Sequence, residues 1–261
     1  MYFGRLLVVR HSLTRMRNEM EPRVVSAIVI SAAIVIATWI LGSAWESTHY
    51  AAERINVTGL ATRDFTSDLI VWRGTFERKA NVIREAYTMI KQDAELIKKF
   101  LSDHGVKDAD VVFDAVDIQK QFRSIRENEN YYQQFDGYRL AQSLTIQSKD
   151  VDKIEVVSRE ISELLNAGIE LTSQAPQYYY TKLAALKLDL LSKASANGKA
   201  RADSLAANAS SRLGSLRTAE AGIFQITGQN SDEEYTWGGT FNTTSRDKTA
   251  SITVRMEFEL K

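Results

Sequence analysis

The apolar pattern begins with a run that has no polar period. From Val24 to Ala44, twenty-one residues (VVSAIVISAAIVIATWILGSA) carry no charge. As a helix the run measures about 31 Å at 1.5 Å per residue, close to the ~30 Å hydrocarbon core of a bilayer. After Trp45 the pattern becomes that of a folded body. Ile55, Val57 and Gly59 predict a first strand, and Leu69–Arg78 a longer one. Ile83, Ala86, Tyr87, Ile90, Ala94, Ile97 and Leu101 fall at steps of three and four, an amphipathic helix closed by Gly105. Val111–Ile118 reads as a strand and the polar run Gln119–Gly137 as a loop.

The pattern then recurs. Leu140, Leu144 and Ile146 alternate with Ala141, Ser143 and Thr145, a half-buried strand. Val151, Ile154, Val157, Ile161, Leu164 and Leu165 form a helical stripe ended by Gly168, and Ile169–Ser173 is the strand after it. Strand, helix, glycine, strand, twice over, is the β-α-β-β-α-β order of a ferredoxin-like duplication.

A single long helix is predicted from Tyr179 to Arg212. Leu183, Leu186, Leu190, Ala194, Gly198, Ala202, Leu205, Ala209 and Leu213 keep its register. Asn197-Gly198 is ordinarily a turn signal. The stripe continues across it, so Gly198 reads as a close-packing position, with the alanines facing either the protein's own sheet or a neighbouring subunit. After Gly214 come a strand ending at Gly222–Ile226, a polar loop Thr227–Lys248, and a last strand. In that strand Ile252, Val254, Met256, Phe258 and Leu260 alternate with polar residues. The fold class is α+β, with a long Ala-rich helix and a C-terminal strand pair.

Charge adds a direction. Arg5, Arg10, Arg15, Arg17 and Arg23 precede the apolar run against Glu19 and Glu21, which by the positive-inside rule keeps the N-terminus cytoplasmic and the body outside. Arg23 falls at the inner interface, Trp39 and Trp45 at the outer one. The expected organisation is a basic tail 1–23, an anchor 24–44, a tether 45–53 and a single domain 54–261. Gly42 and Ala44 also allow a cleavable signal peptide, although the apolar run exceeds the usual h-region of ~7–15 residues. A start at Met20 would shorten the basic tail.

Composition narrows the chemistry. There is no cysteine, hence no disulfide or thiolate. Residues 46–261 hold 28 basic and 31 acidic groups, a balance unlike the basic face that nucleic acid requires. His11, His49 and His104 are scattered, and Asp108, Asp110, Asp114 and Asp117 lack the glycine and terminal glutamate of a calcium loop. No nucleophile elbow, P-loop or dinucleotide fingerprint occurs. Asn56, Asn208 and Asn242 match a glycosylation pattern, which is read as chance. Catalytic, cofactor and metal residues are therefore none. Aromatics gather in three loops: Tyr131, Tyr132 and Phe135; Tyr178, Tyr179 and Tyr180; and Tyr235, Trp237 and Phe241. The last two groups are candidate contact surfaces, since such rings bury much area at little entropy cost.

The order of elements resembles the SIMPL-domain family of cell-envelope proteins, and most of all its membrane-anchored bacterial branch. The likeness covers roughly residues 53–261. It rests on Val57-x-Gly59, the helix ends at Gly105 and Gly168, and the Ala-rich helix closing in Arg212-Leu213-Gly214. PQYYYTKL (Pro176–Leu183), GIFQIT (Gly222–Thr227) and the final alternating strand complete it. The resemblance implies an α+β domain in the periplasm, self-association into rings or larger assemblies, and a link to oxidative stress. It transfers no catalytic residue. The expected protein is non-enzymatic, single-pass in a bacterial inner membrane, homo-oligomeric and without cofactor. Its partners are itself, the bilayer and other envelope proteins. The alternative is a ligand-binding or sensory domain with an apolar pocket between long helix and sheet.

Overall fold

The structure, a computed structural model, describes residues 22–49, 53–127 and 130–261. Strands β1 (Arg54–Thr66) and β10 (Asp247–Leu260) pair antiparallel along their whole length, from Arg54↔Glu259 to Thr66↔Asp247. Strands β8 (Leu213–Ala221) and β9 (Gln225–Gly228) line the other side of β10. The alternation in β10 turns Ile252, Val254, Met256 and Phe258 inward. There they meet Leu186, Leu190, Ala194 and Ala202 of helix α4 (Leu183–Asn208).

The second sheet carries the duplicated unit. Its strands β3 (Val111–Phe113), β5 (Asn130–Ser148), β2 (Leu69–Ala80) and β6 (Leu171–Ser173) lie in that order, all antiparallel. Helices α2 (Ile83–Asp103) and α3 (Val151–Glu160) cover it, α3 running on as a 3-10 helix at Ile161–Ala167. In chain order this is β2-α2-β3-β4-β5-α3-β6, the expected β-α-β-β-α-β run with one strand more, β4 (Asp117–Glu127), between its halves. Gly105 and Gly168 both end their helices with positive φ (71° and 72°). Trp72, Phe76, Ile90, Ile97, Leu144 and Ile154 fill its core, separate from that of the first sheet. Within it Arg78 makes a two-pronged bond to buried Asp93 of α2, at 2.5 and 2.9 Å, and donates to the Gly168 carbonyl at 2.7 Å.

The two sheets meet at one junction. Ser67 N donates to Arg246 O at 3.0 Å, and Tyr178 N, in β7 (Gln177–Tyr179), donates to Thr243 O at 2.8 Å. Arg246 pairs with Asp152 and Glu155 of α3 at 2.6 and 3.2 Å. Strand β1 therefore ends at the junction where β2 begins.

Several boundaries differ from the sequence reading: the strand expected to end at Gly222–Ile226 is split into β8 and β9, and the expected loop Thr227–Lys248 shrinks to 229–246. Gln119–Gly137, read as a loop, is a two-stranded ribbon of β4 (Asp117–Glu127) and the first half of β5. Its apolar residues fall on both faces, Phe122 and Phe135 on one and Ile125 and Tyr132 on the other, so no period-two pattern reveals it. Val111–Ile118 is split between β3 and β4, with the Asp114 amide held by the Ser143 carbonyl at 2.9 Å. Helix α4 is shorter than Tyr179–Arg212, because β7 pairs with β2 ahead of it and Ser210, at φ 57°, breaks the helical run behind it. Helix α1 (Pro22–His49) runs past Ala44, so the expected tether begins as helix.

The side chains described on α1 are those of 26–42, and Ile28, Val29, Ile34, Val35 and Leu41 among them stand exposed. Among the described residues no helix is long and apolar enough to cross a membrane. Residues 1–21 of the basic tail, with Met1, Met20 and His11, lie outside the described residues.

Candidate functional site

The segment 229–246, between β9 and β10, is braced from below by a continuous set of polar contacts. Gln225 of β9 donates to the Thr236 carbonyl at 3.0 Å and accepts from the Thr240 amide at 2.5 Å. Main-chain bonds Ile226 N to Thr240 O (2.7 Å) and Asn242 N to Ile226 O (2.9 Å) stitch the segment to β9. Glu233 accepts from the Gly228 amide at 2.9 Å and from Asn242 Nδ2 at 2.5 Å. The Tyr235 hydroxyl and Ser251 Oγ are 3.1 Å apart.

Beneath this lies Lys248, only 2% exposed. Its ammonium donates to the Asn242 carbonyl at 2.6 Å and to Asn242 Oδ1 at 3.3 Å. Burial pulls its pKa down to about 8, partly opposed by the charge of Glu233. Both acceptors come from the loop, so this cation is an internal clasp rather than an accessible amine. The alternating pattern held the signal for it: Lys248 keeps the parity of Ala250, Ile252, Val254 and Met256, a charge in phase with an apolar face.

On top of the brace stands Trp237, 96% exposed, flanked by the exposed rings of Tyr235 and Phe241. The three rings leave much apolar area open to water on a loop held by the polar contacts beneath it.

The other predicted tyrosines are placed differently. Tyr178, Tyr179 and Tyr180 are all half-buried at the junction. Burial and a bond to Glu155 push Tyr178 up to about 12. The Tyr179 hydroxyl donates to Gln177 at 3.0 Å, and Tyr180 packs on Phe65 with ring centroids 4.7 Å apart. The fold thus brings the two candidate segments together through Tyr178 N and Thr243 O, and packs Tyr178 on the core of the second sheet and Tyr180 on that of the first. Trp39 is exposed on α1. Arg23 and Trp45 fall within that helix, and their side chains lie outside the described residues.

Among the described residues no three His, Asp or Glu side chains converge as metal ligands. Asp110 instead accepts from Ser148 at 2.9 Å and Asp117 from Gln119 at 2.9 Å. His104 sits against the Phe100 carbonyl at 2.7 Å. A cleft of about 650 Å³ opens beside the start of α3, lined by Lys107, Asp110, Lys149, Asp150 and Lys153. Leu69, Val106 and Ile154 also line it, and it lies away from α4; a second hollow of about 450 Å³ sits between the long helix and β1, lined by Asn56, Val57, Thr58, Arg201, Ser204 and Leu205.

Two joined antiparallel sheets, one covered by α4 and the other by α2 and α3, define an α+β domain. The family model for SIMPL, a protein of unknown function (DUF541), matches residues 55–258, and the chain belongs to that family. Ile55 and Phe258, the limits of the match, are themselves register partners in β1 and β10. None of the curated proteins matches the chain.

Proposed function

We propose that the protein is a non-enzymatic, membrane-tethered component of the bacterial envelope whose extracytoplasmic SIMPL domain assembles with copies of itself. The assembly acts as a scaffold or as protection of the envelope under oxidative stress. Trp237 carries this reading: a loop braced by Gln225, Glu233, Asn242 and Lys248 holds that ring almost wholly in solvent, where only a partner surface would reward the arrangement. Tyr235 and Phe241 widen the patch.

The anchor reading rests on sequence. The described stretch 26–42 spans about 26 Å, and the uncharged run on either side brings it to the ~30 Å of a bilayer core. Exposed aliphatic side chains around α1 suit lipid better than water. A tether plus a self-associating head concentrates copies on one membrane patch, which is multivalency rather than turnover.

Native mass measurement of the full chain extracted from membranes tests the proposal. A defined multimer that shrinks on Trp237→Ala is expected. A strictly monomeric particle at micromolar concentration, or chain recovered only from cytosol, overturns it.

A further inference from the structure

Where β5 hands over to α3, the cleft of about 650 Å³ is closed by two walls. The loop after α2 forms one, and the end of β5 with the first turn of α3 forms the other. Their polar groups fasten the walls to one another. The buried Ser148 hydroxyl donates to Asp110 at 2.9 Å and accepts from the Asp150 amide at 3.3 Å. Lys153 reaches across, pairing with the Asp150 carboxylate at 3.0 Å and donating to the Gly105 carbonyl at 3.3 Å. These bonds fix the shape of the cleft from within, the preformed condition of most small-molecule sites.

Charge in the cleft does not cancel. Asp150 is ionised, because the Lys153 ammonium and amide hold its carboxyl below the usual range and the Lys107 charge adds to this. Lys153 answers that carboxylate, while Asp110 is held by a neutral hydroxyl. Among the described residues Lys107 and Lys149, one on each wall, have no hydrogen-bond or ion-pair partner. Of the neighbouring acids, Asp152 is turned to Arg246 at 2.6 Å and Asp108 is outside the lining. Three lysines against two aspartates leave one positive charge in surplus.

We propose that this cleft binds a small organic carboxylate, its charged group between Lys107 and Lys149 and its apolar body on Val106 and Ile154. Two observations select that class. A surplus of one charge matches a monoanion, whereas a phosphate dianion would overshoot it. The apolar part of the lining favours only a ligand with apolar surface to bury, which inorganic anions lack. The start of α3 is itself capped by Asp150, whose carboxylate accepts from the Lys153 amide at 3.3 Å, so the lysines rather than the helix end supply the recognition.

The site is independent of the assembly proposed above, since the loop of Trp237 belongs to the first sheet and the cleft to the second. Exposed charge pairs are individually weak, so the expected dissociation constant is on the order of 1 mM and rises with salt.

The test uses the full chain in phosphatidylcholine nanodiscs, with para-trifluoromethylbenzoate as probe followed by fluorine NMR and empty nanodiscs as the blank. Saturable binding is expected, and the uncharged para-trifluoromethylbenzyl alcohol is expected to bind at least ~threefold more weakly. Lys107→Gln and Lys149→Gln are each expected to weaken the benzoate by about threefold, and Lys98→Gln, on the exposed face of α2, to leave it unchanged. Gln147→Glu cancels the surplus charge without removing a side chain and is expected to act like the two lysine variants. All four positions are exposed, so thermal unfolding is expected to match that of the native chain. Equal binding of acid and alcohol, an equal loss on Lys98→Gln, or no saturation up to about 10 mM overturns the inference. Displacement of the probe by inorganic phosphate or by dihexanoyl phosphatidylglycerol more strongly than by unlabelled benzoate assigns the cleft a phosphate group, free or on a lipid, and also overturns it.

Discussion

Gly59 of β1 and Gly198 of α4 meet backbone to backbone. A methyl on Gly59 would lie 2.0 Å from the Ala194 carbonyl and 2.6 Å from Gly198 N, whereas one on Gly198 would lie 2.4 Å from Met256 Cε and 3.2 Å from Gly59 N. The two substitutions differ in what must move. Gly59→Ala confronts fixed backbone and is expected to cost about 3 kcal/mol or more. Gly198→Ala mainly displaces the end of a flexible methionine and recovers up to ~1 kcal/mol of helix propensity, so its cost is smaller. Chemical denaturation of both variants checks the order.

The buried clasp makes stability depend on pH. Lys248 releases its proton near pH 8 in the native state, well below its ordinary value of 10.5. Between these values the unfolded chain binds more protons, so stability from this group rises with pH from about 8 upward. Lys248→Met is expected to remove that rise. Unfolding midpoints of protein and variant between roughly pH 7 and 11 give the comparison, spanning the native and free lysine values.

Tyr178 acts with the opposite sign. The folded protein keeps its phenol neutral up to about 12, while the unfolded chain ionises near 10, so stability falls as pH climbs through this window. Tyr178→Phe is expected to lose about 1 kcal/mol at neutral pH, with the bond to Glu155, and to show a shallower alkaline decline. Alkaline unfolding curves of the pair decide it.

Arg78 and Asp93 form a largely buried pair, with Asp93 at 7% and Arg78 at 23% side-chain exposure. Asp93→Ala strands the guanidinium and is expected to destabilise by about 3 kcal/mol. Arg54→Ala breaks the surface pair with Glu257 at 2.9 Å and is expected to change stability by less than ~1 kcal/mol. Thermal unfolding of the two variants measures the contrast.

Trp237→Ala removes a ring that packs on nothing, so the unfolding midpoint is expected to stay within ~0.5 kcal/mol of the native one. A large loss of stability would place Trp237 in the fold instead of at a contact.

Much of this architecture was legible locally. The stripe Ile90–Ile97–Leu101 and the alternation Ile252–Val254–Met256–Phe258 each name a buried face, and Gly105 and Gly168 mark their helix ends. Gly198 was legible too, because a turn signal inside an unbroken stripe has to be a packing position. The β4–β5 ribbon was not: Phe122 and Phe135 lie on one face and Ile125 and Tyr132 on the other, so no period-two stripe marks it. The tyrosines of 178–180 read as a surface because composition is silent on which way a ring turns.

Periodicity along the chain settles which side of an element avoids water, since that depends on neighbours three, four or two residues away. It carries no information on which distant strand completes a sheet. That β1 pairs with β10, that β2 starts a second sheet at the junction, and that the Lys248 ammonium is enclosed under the 229–246 loop all follow from contacts between remote segments. Their free energy is realised only once the whole chain has closed on itself.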